Sequence, residues 1–387
     1  MNAKDASAQY EAWLKKRVNP VEAIWTEQLE EKHKKMVMRK KKKEEETVFP
    51  FLRATFYRWA ELWPQECPEL AGATDDEVLA IGDLHVENFG TWRDAQARLI
   101  WGVNDFDEAC PLPFTHDLVR LATSAGIAAD DAHLETGKKA ACEAILTGYA
   151  EALAVGGSPF VLDSDHATIR DIVSKALQAD QAGNFWEELA DEDDYPLAGQ
   201  NWPLPAAVKK LLADSLPKDA GDAKYRLVRK AKGLGSLGRP RYLVVAQWNG
   251  GEVGREIKRL VPSAVEWLAN PDSTKMYGAK LLQGASATRA EDPAYEILPD
   301  WVVRAVTPDA AKVELKQFSG AIDQAKSTET LLQAMGWEIA NIHLGSLSAK
   351  KLQTRLAALA QADDEWLHTA AKAMRQATEA DWNDYRA

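Results

Sequence analysis

Residues 82–90 read Gly82-Asp83-Leu84-His85-Val86-Glu87-Asn88-Phe89-Gly90, and residues 104–108 read Asn104-Asp105-Phe106-Asp107-Glu108. Each stretch follows a short apolar run, Val78–Ile81 or Leu99–Val103, bounded by turn residues as buried strands are. Acidic and amide groups are thereby expected at one edge of a small sheet. Phosphoryl transfer from a magnesium nucleotide asks for this inventory. One carboxylate orients the attacking hydroxyl, while an amide and a second carboxylate hold the metal on the phosphates. Asp83 and Asn88 have the offset of Asp and Asn in the kinase loop H-R-D-x-x-x-x-N, and Asp105-Phe106 then stands where D-F-G has its Asp-Phe. A lone Asp-Phe or Asp…Asn pair is usually a turn or a cap; the weight comes from both clusters following strands in this order. The candidate catalytic residues here are Asp83 as base and His85, whose expected part is to brace the loop on the backbone. Asn88 and Asp105 are candidate metal ligands. Asp107 and Glu108 read as a further metal contact or as surface acids, with Asp107 the preferred ligand.

The other half of such a site is Gly233-Leu234-Gly235-Ser236-Leu237-Gly238. A G-x-G-x-x-G string that binds a dinucleotide must open a helix. Here Arg241–Trp248 follows, an alternating stretch with no helix start. A strand, a glycine loop and a second strand form the cover over nucleotide phosphates in kinases, and a plain hairpin is the bland alternative. Gly233, Gly235, Ser236 and Gly238 are the candidate phosphate-binding residues. Lys258, in the next strand, is expected on the phosphates, paired with Glu266 from a short helix starting at Ser263. An exposed strand lysine is the alternative for Lys258.

Around these clusters the chain divides in three. Residues 1–223 are expected to be helical with the catalytic loops inserted, 224–318 to be β-rich, and 319–387 to be helical again. In the first part, Asn19-Pro20 suggests a cap before a helix with Val21, Ile24, Trp25 and Leu29 on one stripe, and Phe49–Trp63 suggests a helix stopped by Pro64. Strands are expected at Tyr225–Val228, Tyr242–Trp248, Glu256–Val261, Trp301–Val306 and Lys312–Lys316. Of 387 residues, 46% are hydrophobic and 27% charged, which is globular composition. A net charge of −12 repels nucleic acid and anionic membrane, so neither is an expected partner. The charged run from His33 to Glu46 is flanked by acids and reads as a solvated helix or connector. The three cysteines lack metal or disulfide spacing, no run is long enough to span a membrane, and a cytoplasmic location is expected.

The blocks GDLHVENFG and NDFDEACPLPFTHDLVRLATS, with FPFLRAT upstream and GLGSLGRPRY and GWEIANIH downstream, resemble the bacterial family called domain of unknown function 2252 over about residues 35–345. At greater distance, GDLHVEN and VNDFDEA…HDLVRLA are similar to the catalytic blocks of aminoglycoside-phosphotransferase-like small-molecule kinases. That similarity implies an α+β, two-lobed, protein-kinase-like fold, with a small antiparallel sheet lobe and a large helical lobe. It implies ATP and Mg2+ as cofactors, a small-molecule acceptor, and Asp117 as an acid bracing the catalytic loop. The order departs from those kinases, because the glycine string, Lys258 and the helix ending at His343 all follow the catalytic loop. Circular permutation would reconcile the two. The resulting expectation is an ATP-dependent phosphotransferase. The alternatives are a non-catalytic nucleotide binder and a metal-dependent phosphoesterase built on Asp83-x-His85, which would need further His ligands.

Overall fold

The strand expected at Val78–Ile81 forms as β1 (Glu77–Ala80), followed by β2 (Phe89–Arg93), β3 (Leu99–Val103) and β4 (Cys110–Pro113). This is a computed structural model, and it describes residues 1–37, 48–130, 136–163, 166–180, 185–230, 234–310 and 324–387. β1 pairs antiparallel with β4, whereas β2 pairs with β3, and β3 also pairs with the short β5 (Phe160–Val161). The two strands expected to share a sheet therefore belong to different ones. The cause is Phe89–Arg93, whose apolar residues fold back on β3 as a hairpin and leave β1 to pair with β4. Both polar loops consequently cross between the same two ladders and run side by side. Their contact is direct, since the Asn104 N–H donates to the Asn88 carbonyl at 3.1 Å.

The β-rich region forms one antiparallel sheet from β6 (Gly221–Leu227), β7 (Arg241–Trp248), β8 (Gly251–Arg259), β9 (Glu296–Ile297) and β10 (Trp301–Val306), in the order β6-β7-β8-β10-β9. β8 starts at Gly251 rather than Glu256 because Asn249 and Gly250 take left-handed φ values of 49° and 89°. Such a two-residue turn matches the twist of a hairpin and lets pairing run to the tip. One face of the sheet buries Leu227, Tyr242, Val244, Ile257 and Val303 against Val208 and Leu212 of the helix Ala206–Asp214 and Ile24 of the helix Glu22–Met36. The strand expected at Lys312–Lys316 lies outside the described residues, as does most of the charged run beyond Val37.

Helices make up most of the remainder, so the chain is α+β with small antiparallel sheets. Asn19 does not cap the second helix. Its φ of 46° closes the first, Ala3–Val18, because asparagine tolerates the left-handed conformation that ends a helix. Pro64 sits inside the helix Phe56–Glu66, which ends two residues after the ring removes an amide donor. The helices Lys138–Val155 and Gln324–His343 touch backbone to backbone, since a Cβ on Gly148 or Gly336 would overlap the carbonyl of Gln333 or Ile145. The last helix, Trp366–Arg386, returns to the first ones. Arg58 pairs with Asp381, and Trp382 Nε1 donates to the Met36 carbonyl at 2.8 Å. Among the described residues no helix is long and apolar enough to cross a membrane, and Cys67, Cys110 and Cys142 are buried free thiols.

Candidate active site

Asp117, in the first turn of the buried helix Thr115–Asp130, anchors the loop after β1. Its carboxylate accepts the Ile81 N–H at 2.7 Å and the Gly82 N–H at 3.0 Å. His343 Nε2 lies 3.1 Å from the same group and His116 Nδ1 3.4 Å. Burial opposes ionisation of Asp117, but hydrogen bonds from His116 and His343 outweigh it and hold the carboxyl well below its ordinary range. Trp59 Nε1 donates to His116 Nε2 at 3.0 Å, which leaves the His116 proton on Nδ1, and burial keeps that ring neutral by lowering its pKa. Gly82 takes φ 83°, and a Cβ there would overlap the Glu108 carbonyl of the neighbouring loop. Only glycine serves at this crossing.

Asp83 follows that turn and faces the cleft. Arg120, wholly buried and stacked 4.5 Å over the Trp59 ring, donates to Asp83 Oδ1 at 2.5 Å and to the Leu52 carbonyl at 2.8 Å. Burial pushes the Asp83 pKa up against the pull of Arg120, a direction that strengthens it as a proton acceptor. Asn88 Nδ2 donates to the Asp83 carbonyl at 2.5 Å and closes the loop on itself. His85 Nδ1 accepts the Glu87 N–H at 3.2 Å, so this side chain braces its own loop while lining the cleft.

The opposite wall comes from the β6–β7 connection and from β8. Lys258 Nζ lies 2.5 Å from Asp107 Oδ2 and 3.4 Å from Asp105 Oδ1. Arg239 reaches Asp107 at 3.0 Å and Glu108 at 2.6 Å, which ties the glycine turn to the metal-candidate loop. Burial pushes Glu108 up to about 7, although Arg239 and the Ala264 N–H pull it down. Behind the turn, Gln28 accepts the Gly238 N–H at 2.8 Å and donates to the Arg229 carbonyl at 2.9 Å, so one side chain holds both ends of the connection. Arg241 donates to Ser236 Oγ at 2.9 Å and pairs with Glu256, which also takes Arg304 at 2.7 Å. Burial works against ionisation of Glu256, but Arg241, Arg304 and Lys258 prevail and bring its carboxyl down to about 2.

One cleft therefore gathers Asp83, His85, Asn88, Asp105, Asp107, Gly235, Ser236 and Lys258. Gly235 stands against the Asp83 loop, where a Cβ would lie 3.4 Å from Asp83 Oδ2. Gly238 lies behind the wall. Its φ is 89°, and a Cβ would come within 2.8 Å of the Trp25 ring. Gly233 falls outside the described residues. Glu266 is not brought to the cleft, and the pair expected between it and Lys258 is replaced by Lys258 with Asp105 and Asp107. The short helix Ala264–Ala269 is fixed by its Ala264 N–H on Glu108, and this turns Glu266 towards Ser273 and Tyr277, whose hydroxyls it accepts at 2.7 and 3.0 Å. The sequence reading overlooked Arg53, Arg239, Arg241 and Arg304, which also line the cleft. Arg241 and Arg304 could have been suspected as charges within apolar strands, whereas the signal for Arg53 and Arg239 was their place inside the blocks FPFLRAT and GLGSLGRPRY.

A hard cation fits the oxygens present. Asp107 Oδ1 is buried without a hydrogen-bond partner among the described residues, in the cleft that Asp105 and Asn88 also line. Asn104 Oδ1, next to Asp105 in the chain, is likewise unpartnered among them. Among the described residues no group of three or more His, Cys, Asp or Glu is arranged to hold a metal ion. Magnesium is held by one or two carboxylates together with substrate phosphates, and Asp105 and Asp107 are the carboxylates that could take that part here. His116 and His343 are both directed at Asp117.

A family model described as "Uncharacterized protein conserved in bacteria (DUF2252)" matches residues 11–192 and 212–387. No curated protein and no solved structure matches the chain.

Proposed function

We propose that this chain, which belongs to the DUF2252 family, is an ATP-dependent phosphotransferase acting on a small-molecule acceptor, with a circularly permuted, kinase-like arrangement of two lobes. The observation that carries this reading is the cleft itself. Segments around residues 83–88, 105–107, 235–236 and 258 converge on it from distant parts of the chain. Five basic side chains (Arg53, Arg239, Arg241, Lys258 and Arg304) line it beside four acidic ones (Asp83, Asp105, Asp107 and Glu108). This concentration of cations in a protein of net charge −12 supports an anionic ligand bound together with a metal cation. The return of the helix Trp366–Arg386 to the first helices supports permutation, because joining those ends would put the glycine turn before the catalytic loop.

In this reading Lys258 exchanges Asp107 for the nucleotide phosphates, and the turn at Gly235 and Ser236 covers them. Asn88, Asp105 and Asp107 would hold magnesium, which would offset the phosphate charge. Asp83 accepts the proton of the acceptor hydroxyl as its oxygen bonds to the terminal phosphorus, and the bond from that phosphorus to the nucleoside diphosphate breaks. Arg120 keeps the Asp83 carboxylate oriented throughout. Thermal unfolding with and without magnesium ATP, followed by an acceptor screen with γ-labelled ATP, tests the proposal. Stabilisation by magnesium ATP and labelling of an acceptor are expected. No stabilisation at millimolar nucleotide would overturn it, and stabilisation without transfer to any acceptor would leave a nucleotide sensor.

A further inference from the structure

On the Asp83 side of the cleft stands one cation that the proposed transfer step does not use. Arg53, at the end of the helix Phe49–Ala54, lines the cleft and pairs through Nη1 with Glu87. Its Nε is buried without a hydrogen-bond partner. Its carbonyl and Asp83 Oδ2 converge on the same glycine, 3.2 and 3.4 Å from where a Gly235 Cβ would lie. Arg120 strengthens that link by donating to both Asp83 and the Leu52 carbonyl beside Arg53. Of the other cations, Lys258 and Arg239 are engaged across the cleft with Asp107, while Arg241 and Arg304 pair with Glu256 within the five-stranded sheet. Arg239 Nε and Arg241 Nε are also buried without a hydrogen-bond partner among the described residues, so what sets Arg53 apart is its place beside Asp83.

Resting on the phosphotransferase reading, we propose that the acceptor bears a negatively charged oxyanion group, phosphate or carboxylate, and that Arg53 binds it beside the hydroxyl served by Asp83. A buried guanidinium nitrogen without an acceptor is costly, and the planar fork of arginine matches an oxyanion with two parallel hydrogen bonds. A neutral acceptor would leave that donor unused. Glu87 holds the guanidinium in place and competes with the ligand for it.

The test fills the donor side with magnesium AMP-PNP and titrates inorganic phosphate, then malonate, by calorimetry. Wild-type protein is expected to bind at least one of the two. Arg53→Gln should weaken that binding about tenfold or more, as expected for loss of a charge-assisted bidentate contact. Arg53→Lys keeps the charge without the fork and should fall between. Glu87→Gln should tighten binding, since it removes the internal competitor, and this gain is not what a merely structural Arg53 would give. The anion that responds to Arg53 names the class. If neither anion binds, or if Arg53→Gln binds as wild type does, the proposal is overturned. Failure of AMP-PNP to bind at all would sink the nucleotide reading instead. The Arg53 assignment is then decided by titrating phosphate and malonate into nucleotide-free wild type and Arg53→Gln.

Discussion

Asp83 is held on one oxygen by Arg120 and stands against the glycine turn, so its carboxylate is placed by a buried cation rather than by solvent. Asp83→Asn keeps the shape and removes the proposed proton acceptor. Magnesium ATP should therefore still raise the melting temperature of the variant, while transfer falls by about two to four orders of magnitude, the usual range for loss of a general base. Full transfer by Asp83→Asn would remove the base assignment. Asp105→Ala acts on the other half. It deletes one proposed oxygen ligand and one partner of Lys258, so nucleotide binding should lose most of its dependence on magnesium, read by calorimetry with and without the metal. An unchanged magnesium dependence would move the metal to other residues.

The two antiparallel ladders and the paired helices decide whether these side chains meet. His343 reaches Asp117 only because the helix Gln324–His343 lies in backbone contact with Lys138–Val155, a closeness that glycines at 148 and 336 permit. Gly336→Ala inserts a methyl group where a carbonyl stands, and the helices must separate. A loss of about 1–3 kcal/mol is expected from overpacking of this kind, measured as a lower urea midpoint at unchanged slope. Wild-type stability in that variant would mean that the helices can shift without cost. The glycine turn is similarly dependent on an element far away in sequence, since Gln28 of the helix Glu22–Met36 holds both of its ends.

Across the whole molecule, the buried group around Asp117 makes the fold sensitive to acid. His116 has a lowered pKa, so below about 6.5 the unfolded chain takes up a proton that the folded chain refuses. The unfolded state then binds more protons, and stability falls as pH falls. Asp117, also lowered, contributes in the same sense below about 4. Glu108, raised to about 7, works in the opposite sense over the same range. The share of the histidine, at most about 1.4 kcal/mol per pH unit, is therefore read as the difference in unfolding free energy between wild type and His116→Gln from pH 7.5 to 5.5. That difference should fall as pH falls. A difference that does not change with pH would place the sensitive group elsewhere.

Sequence alone determined the local elements and the chemistry each could offer. Apolar runs with turn residues gave β1, β3, β7 and β10 nearly to the residue, and the Asp, Asn, glycine and lysine patterns picked out most of the cleft. These features are local, because alternation, turn chemistry and spacing are written within a few residues. Only the tertiary structure decided that β1 and β3 lie in different sheets, that Lys258 answers Asp107 rather than Glu266, and that four arginines join the cleft. Strand pairing and buried ion pairs are choices among distant partners of equal local merit. The balance of burial against charge that settles them exists only once the chain has packed.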